Sequence, residues 1–199
     1  MTKIIGITGG IGSGKTTVCK IFESLGIPVY NADVRAKYLM NHDVRLKGKI
    51  KSLLGKEAYH RNGRLNKAFV AKKIFNNKEL LAGINAIVHP AVHHDAALWA
   101  QNNPDAPYLL YEAALLVENG SYKNFYKIIV VTAPEALRIA RVMKRDGIEE
   151  SAVRARMKNQ LPDGKKTALA DYIINNDENE SILQAVVRIH RDITTDKNE

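Results

Sequence analysis

The sequence predicts an α/β fold built on a five-stranded parallel sheet, and three observations carry that prediction. Five short apolar runs alternate with helical patterns along the 199-residue chain. The runs are near-continuous in apolar residues rather than alternating, as expected of strands covered by helices on both faces. Strands that alternate with helices argue for parallel pairing through right-handed crossovers.

In chain order, "KIIGIT" (3–8) is the first strand. It runs into "GITGGIGSGKTT" (6–17), whose glycines end the strand before a helical pattern begins. The second strand is "PVYN" (28–31). About 75 residues follow before the third strand, "YLLYEA" (108–113), whereas an ordinary crossover needs a dozen or so. That excess predicts an inserted helical subdomain over about 34–106, with helix breaks at Gly55, at "RNGR" (61–64) and at "HP" (89–90). "NNPDAP" (102–107) is the turn back to the sheet. An insert leaving the C-terminal end of a strand is placed to hold a substrate there. "KIIVVTA" (127–133) and "YIIN" (172–175) are the fourth and fifth strands. The last helix is marked by Ile182, Val186, Ile189 and Ile193 at helical spacing, with Ser181 as its cap. The tail "TTDKNE" is expected to fray.

Composition bounds the function. Hydrophobic residues make up 45% of the chain, enough for one compact domain over 1–199 with a lid or subdomain. No apolar run approaches the roughly 20 residues that span a bilayer, and the glycine loop interrupts the apolar opening, so neither a membrane anchor nor a secretory signal is expected. Cys19 is the only cysteine, which excludes an internal disulfide and a cysteine-rich zinc site. A cytoplasmic protein fits. The net charge of +9 favours anionic partners: nucleic acid, phospholipid or phosphorylated metabolites. It is equally compatible with a role in solubility alone.

The glycine loop is the strongest signal. Gly9-Gly10-Ile11-Gly12-Ser13-Gly14-Lys15-Thr16 fits G-x-x-x-x-G-K-[ST] without mismatch, between a strand and a helix. Glycines allow successive amides to point at phosphate oxygens, and the next helix adds the positive end of its dipole. Lys15 would reach the terminal phosphates and the Thr16 hydroxyl would complete a Mg²⁺ shell. The loop predicts a nucleoside triphosphate site.

The type of P-loop protein follows by elimination. A GTPase needs N-K-x-D, and the nearest stretch, Asn77-Lys78-Glu79-Leu80, lacks the acid. Motor-type ATPases carry a strand ending in two acids, whereas the third strand here ends at Glu112 alone. A small-molecule kinase remains. Its acid would be Asp33, just beyond the second strand, able to orient an acceptor hydroxyl and take its proton late in a loose transition state. The competing reading is a cap for a helix starting near Val34. Arg138, Arg141 and Arg145 in "LRIARVMKR" share one helical face. Like charges so spaced repel unless an anion bridges them. A lid closing over transferring phosphates would supply that anion; a solvated basic face is the alternative.

These residues sit in a longer series. "GITGGIGSGKTT" is followed by "GIPVYNADVRAK", "GRLNKAFVAKKIF", "IVHP", "ALLVENGSYKNF", "RVMKRDGIE" and "ALADYIINND". In this order and spacing, over nearly the whole chain, the sequence resembles the dephospho-CoA kinase family, whose reaction is the last step of coenzyme A synthesis. The resemblance implies a sheet core of nucleoside-monophosphate-kinase type, a CoA-binding insert and a helical lid over about 138–168. It implies ATP and dephospho-CoA as substrates, with Mg²⁺. It makes Asp33 the base facing the ribose 3′-hydroxyl, with Lys15, Arg141 and Arg145 acting on the phosphates. ATP would be held by Gly10, Ile11, Gly12, Ser13, Gly14, Lys15, Thr16, Thr17, Arg141 and Asn176, the last lying with Ala170-Asp171 in a segment near the ATP base. Thr16 would hold the metal. The acceptor would meet Asp33, Leu65, Lys67, His89 and Pro90.

There are departures from the family's pattern. Asn31 stands where Asp is usual, Ala114 where Pro is common before the double Leu, and Lys67 where Arg is frequent. The last weakens any bidentate anion contact there.

Other signals are set aside. His93, His94 and Asp95 sit on a helix where adjacent histidines diverge by about 100°, so a shared metal is not expected. Cys19 reads as a small core residue, and Trp99 and the aromatics of 122–126 as packing. Glu118 opens a turn as a local acceptor. Glu112 either orients magnesium or simply ends its strand. Two further functions remain in view: a kinase for another nucleoside, nucleotide or small alcohol, and a nucleic-acid-binding NTPase. The dispersed basic residues and the lack of an RNA-binding signature disfavour nucleic acid. Oligomeric state is not readable.

Overall fold

The parallel sheet is built from β1 (Ile4–Gly9), β2 (Val29–Asn31), β3 (Leu109–Glu112), β4 (Lys127–Thr132) and β5 (Tyr172–Asn175), ordered β2-β3-β1-β4-β5. In this computed structural model, which describes residues 2–75, 77–177 and 179–196, every strand pair is parallel. β1 is central: Ile5 lies opposite Leu110 on one side and Lys127 on the other. From β1 the chain goes out to β2 on one flank and later to β4 on the other. The C-terminal end of β1 is therefore a topological switch point, where open α/β sheets hold ligands.

The chain divides into two units, Met1–Asn31 with Asn103–Glu199, and Ala32–Asn102. In the first, α1 (Lys15–Ser24) and α9 (Ile182–Thr195) cover one face of the sheet. Ile5, Ile7, Leu110, Ile129 and Val131 meet Val18 and Phe22 of α1 and Val186, Ile189 and Ile193 of α9. The helical spacing read from the sequence is the one that packs. Cys19 belongs to this core; burial, then the Glu112 carboxylate, pushes its thiol pKa up, so it stays neutral. Phe22 is fully buried and its ring meets Tyr108 edge-on. Phe22→Ala is expected to cost about 3–5 kcal/mol in urea unfolding, the usual loss for an aromatic deleted from a close-packed core.

The tail does not fray at Thr194. α9 runs to Thr195, and Asp196 accepts from Tyr126 (3.0 Å) and pairs with Lys127 (2.9 Å). Residues 197–199 lie outside the described residues. Tyr126, expected as packing, has an exposed ring beside Lys3 and Lys127. The remaining helices of this unit are α6 (Glu135–Asp146), α7 (Glu150–Met157) and α8 (Asp163–Thr167).

The second unit comprises α2 (Ala32–His42), α3 (Val44–Leu54), α4 (Lys67–Ile74) and α5 (Lys78–Gln101). Asp43, Asn66 and Asn77 cap α3, α4 and α5 by accepting from the amides of Leu46, Phe69 and Leu80. Gly55 ends α3 with φ 99, and residues 61–64 form a turn closed by the Tyr59–Leu65 bridge, so those two expected breaks are present. The third is not: α5 runs unbroken through Pro90. The proline removes one backbone donor, but Ile84, Val88 and Val92 are buried along the same helix, each contributing about 1.5–3 kcal/mol. Packing outweighs the missing bond. Arg35 of α2 forms a forked pair with Asp95 of α5 at 2.6 and 2.8 Å, which accounts for that carboxylate.

Candidate active site

β1 ends at Gly9 and α1 starts at Lys15, leaving five residues to make the loop. The Ser13 amide donates to the Gly10 carbonyl at 3.1 Å, closing a β-turn. Gly12 is its third residue, with φ 80, the left-handed value that a type II turn puts there. A side chain at Gly12 would also strike backbone, its Cβ 2.5 Å from the Arg138 carbonyl. Gly14, with φ 95, caps α1 and would likewise press a Cβ into the Asn176 amide. Lys15 Nζ donates back to the carbonyls of Gly9 (2.8 Å) and Gly10 (3.4 Å). Thr16 and Thr17 are exposed on the first turn of α1, beside the positive end of its dipole.

The loop is braced from distant sequence. Asn176 is buried and donates to the Ser13 carbonyl at 2.8 Å. Arg141 donates to both the backbone and side-chain oxygens of Asn176 at 3.2 Å. The Ile11 amide donates to Gln160 Oε1 at 2.8 Å, so that amide is turned to Gln160 instead of into the cradle. The Ile11 side chain packs with Ile139, Val142 and Val153 in a small core between α6 and α7. Asn176, expected as a nucleotide contact, lies against the loop and also braces it.

Arg138 departs from a common anion-binding face. Arg138 is buried against Gly10 and pairs with Asp163 at 2.5 Å. Arg145 is exposed and pairs with the adjacent Asp146 at 2.7 Å, which also holds Arg156. Each arginine has a protein partner of its own, which offsets the repulsion that the spacing implies. Sequence reasoning missed those partners because each is set by the tertiary fold or by an adjacent acid. Asp171 is also elsewhere than expected: it accepts from the Ile128 amide at 2.7 Å, at the start of β4 and β5, whereas the glycine loop follows the opposite end of β1.

Two further acids are accounted for. Glu112 ends β3 opposite Asn31 in the β2 pairing, and the Asn31 amide donates to its carboxylate. An aspartate at 31 would set two like charges side by side; the asparagine makes a hydrogen bond. Glu118 is not a local acceptor. It takes the Leu161 amide at 3.1 Å and pairs with the fully buried Lys166 at 2.7 Å.

In the second unit, Asp33 lies in the first turn of α2, two residues beyond β2, with an exposed side chain. It is inside the helix rather than at its cap. Leu65 is half-buried and its amide donates to Asn41 Oδ1 at 2.9 Å. Lys67 opens α4, exposed. His89 and Pro90 are exposed within α5; partial loss of water contact, then the His93 imidazole one turn on, lowers the His89 pKa. Charge is far from evenly spread. Residues 32–102 hold thirteen Lys and Arg against five Asp and Glu, which is nearly all of the chain's surplus. The basic residues are dispersed, with 17 of the 30 Lys and Arg outside this stretch; the surplus gathers here because only five of the 21 acids do. Among the described residues no group of three or more His, Cys, Asp or Glu could hold a metal ion.

The family model described as Dephospho-CoA kinase matches residues 3–181. A dephospho-CoA kinase of Salinibacter ruber is 39% identical over 175 residues, covering 87% of this chain and 88% of its own. The chain belongs to the dephospho-CoA kinase family. The solved dephospho-CoA kinase from Campylobacter jejuni superposes with a TM-score of 0.70 at 27% identity, covering 98% of each chain. A solved protein from Thermus thermophilus reaches 0.85 at 30% identity, covering 100% of this chain and 99% of its own. The dephospho-CoA kinase match takes in both units, from β1 to the cap of α9, and includes every residue of the loop and its braces. As a member of that family the protein is a kinase, a transferase of phosphoryl groups, on a P-loop α/β fold.

Proposed function

We propose that the protein transfers the γ-phosphoryl group of ATP to the ribose 3′-hydroxyl of dephospho-CoA, giving coenzyme A and ADP. The observation that carries this reading is the glycine loop at the sheet's switch point, with Lys15 at its neck and the start of α1 behind it. Loop residues Gly10 to Thr17 surround the phosphates, with Ile11 contributing through its packing. The acceptor oxygen attacks the γ-phosphorus while the bond to the β,γ-bridging oxygen breaks. The Asp33 carboxylate takes the hydroxyl proton. Arg141 and Arg145 stabilise the equatorial oxygens on closure of the 138–168 lid, which keeps water from intercepting the phosphoryl group. For Arg145 this means exchanging Asp146 for phosphate. Thr16 offers a hard oxygen donor of the kind Mg²⁺ takes and would hold that ion, which would supply charge neutralisation for the transferring phosphates.

The helical insert, about 34–106, holds the acceptor through Leu65, Lys67, His89 and Pro90. Its concentrated positive charge favours an acceptor that carries phosphates over an uncharged alcohol. Among the described residues no helix is long and apolar enough to cross a membrane, and we place the reaction in the cytoplasm. A coupled ADP-release assay against dephospho-CoA, adenosine, AMP and pantetheine phosphate is expected to show turnover with dephospho-CoA at least tenfold above the others. Equal or better turnover of AMP or adenosine would assign the chain a different acceptor.

A further inference from the structure

We propose that Gln160 is a positioning residue for the phosphate loop, acting through the Gly10–Ile11 peptide. The inference rests on the nucleotide reading above. A peptide unit is planar and trans, so its carbonyl and amide point in opposite directions. Gln160 Oε1 holds the Ile11 amide outward at 2.8 Å. The Gly10 carbonyl of the same unit is thereby turned to the inside of the loop. There it accepts from the Ser13 amide at 3.1 Å and from Lys15 Nζ at 3.4 Å. Asn176 does the complementary thing two residues on. By donating to the Ser13 carbonyl at 2.8 Å it draws that oxygen outward, so the Gly14 amide of the same peptide points in.

Gly12, the turn residue with φ 80, is thus fixed from both sides by side-chain amides from the far end of the chain. Gln160 is itself placed by its surroundings. Leu161 next to it donates to Glu118 at 3.1 Å, and Asp163 pairs with Arg138 at 2.5 Å. The stretch after α7 is pinned on three counts, and the Gln160 carbonyl is one of them. Its function is to keep the Gly10 carbonyl, and through it Ser13 and Lys15, in the arrangement that receives a polyphosphate.

Gln160→Met keeps the length and apolar volume of the side chain but removes the oxygen acceptor; Gln160→Glu keeps an acceptor oxygen. In calorimetric titration with ADP, Gln160→Met is expected to raise Kd about three- to tenfold, the fold-change equivalent of one lost hydrogen bond. KM for ATP should rise by a similar factor while KM for the acceptor holds and the melting temperature stays within about 3 °C. In amide spectra the Ile11 signal should shift and exchange faster in Gln160→Met, and stay protected in Gln160→Glu. Wild-type ADP affinity in Gln160→Met, an equal rise in both KM values, or an Ile11 amide equally protected without the acceptor would overturn the tie while leaving the kinase reading standing. A wild-type protein that bound no ADP would overturn the nucleotide reading and the tie with it.

Discussion

Lys15→Ala is expected to lower kcat about 10²–10³-fold, the loss typical when one preorganised donor to developing transition-state charge is removed. The Lys15 ammonium rests on the carbonyls of Gly9 and Gly10, within the loop that would receive the phosphates. It moves from neutral acceptors to anionic oxygens as the triphosphate arrives. That exchange is favourable because bonds between charged partners are about twice as strong as neutral ones. Fold damage does not explain such a loss. Lys15 is the first residue of α1, and Ala has the highest helix propensity. Steady-state kinetics beside a thermal melt check the point: a normal melt with a collapsed kcat is the expected pair, and kcat within about threefold of wild type would remove Lys15 from the chemistry.

Asp33→Ala is expected to lower kcat about 10²–10⁴-fold, the range for a lost general base, with ADP Kd changed less than twofold. The split is the informative part. A carboxylate in the first turn of α2 interacts favourably with the helix dipole, worth about 0.3–1 kcal/mol. Its loss would therefore lower stability slightly and leave nucleotide binding alone if it acts on the acceptor. Parallel loss of turnover and ADP affinity would make Asp33 structural instead. Isothermal titration and single-turnover phosphoryl transfer separate these outcomes.

Much of the fold could be read from the sequence because its strongest determinants are local. Strands of a helix-covered parallel sheet show as near-continuous apolar runs, and all five do so here, from Ile4–Gly9 to the half-exposed edge strand Tyr172–Asn175. α9 shows its inward face at Ile182, Val186, Ile189 and Ile193. The phosphate loop shows because its backbone geometry demands glycine at fixed positions, two of which are occupied from behind by Arg138 and Asn176. What failed had a common cause. Pro90 is a local helix breaker overruled by packing along α5. Arg138 shares a helical face with Arg141 and Arg145 by spacing, yet burial beside Asp163 takes it, whereas Arg145, paired with Asp146, stays exposed. Gln160 and Lys166 carried no local signal, and Glu118 only a misleading one as a turn acceptor, because their partners lie about 40 to 150 residues away. The surplus of positive charge in residues 32–102 was legible too, because the insert read over about 34–106 also holds thirteen basic and five acidic residues.

The loop near the N-terminus is held by Gln160 and Asn176, separations of 149 and 163 residues. Contacts that distant form late, because the closure entropy of long chain segments must be met before they reward it. During synthesis the glycine-rich stretch therefore leaves the ribosome as loose chain, and capture of nucleotide becomes possible only after β4, α6 and β5 have emerged. A segment translated ahead of its braces is among the last to become competent.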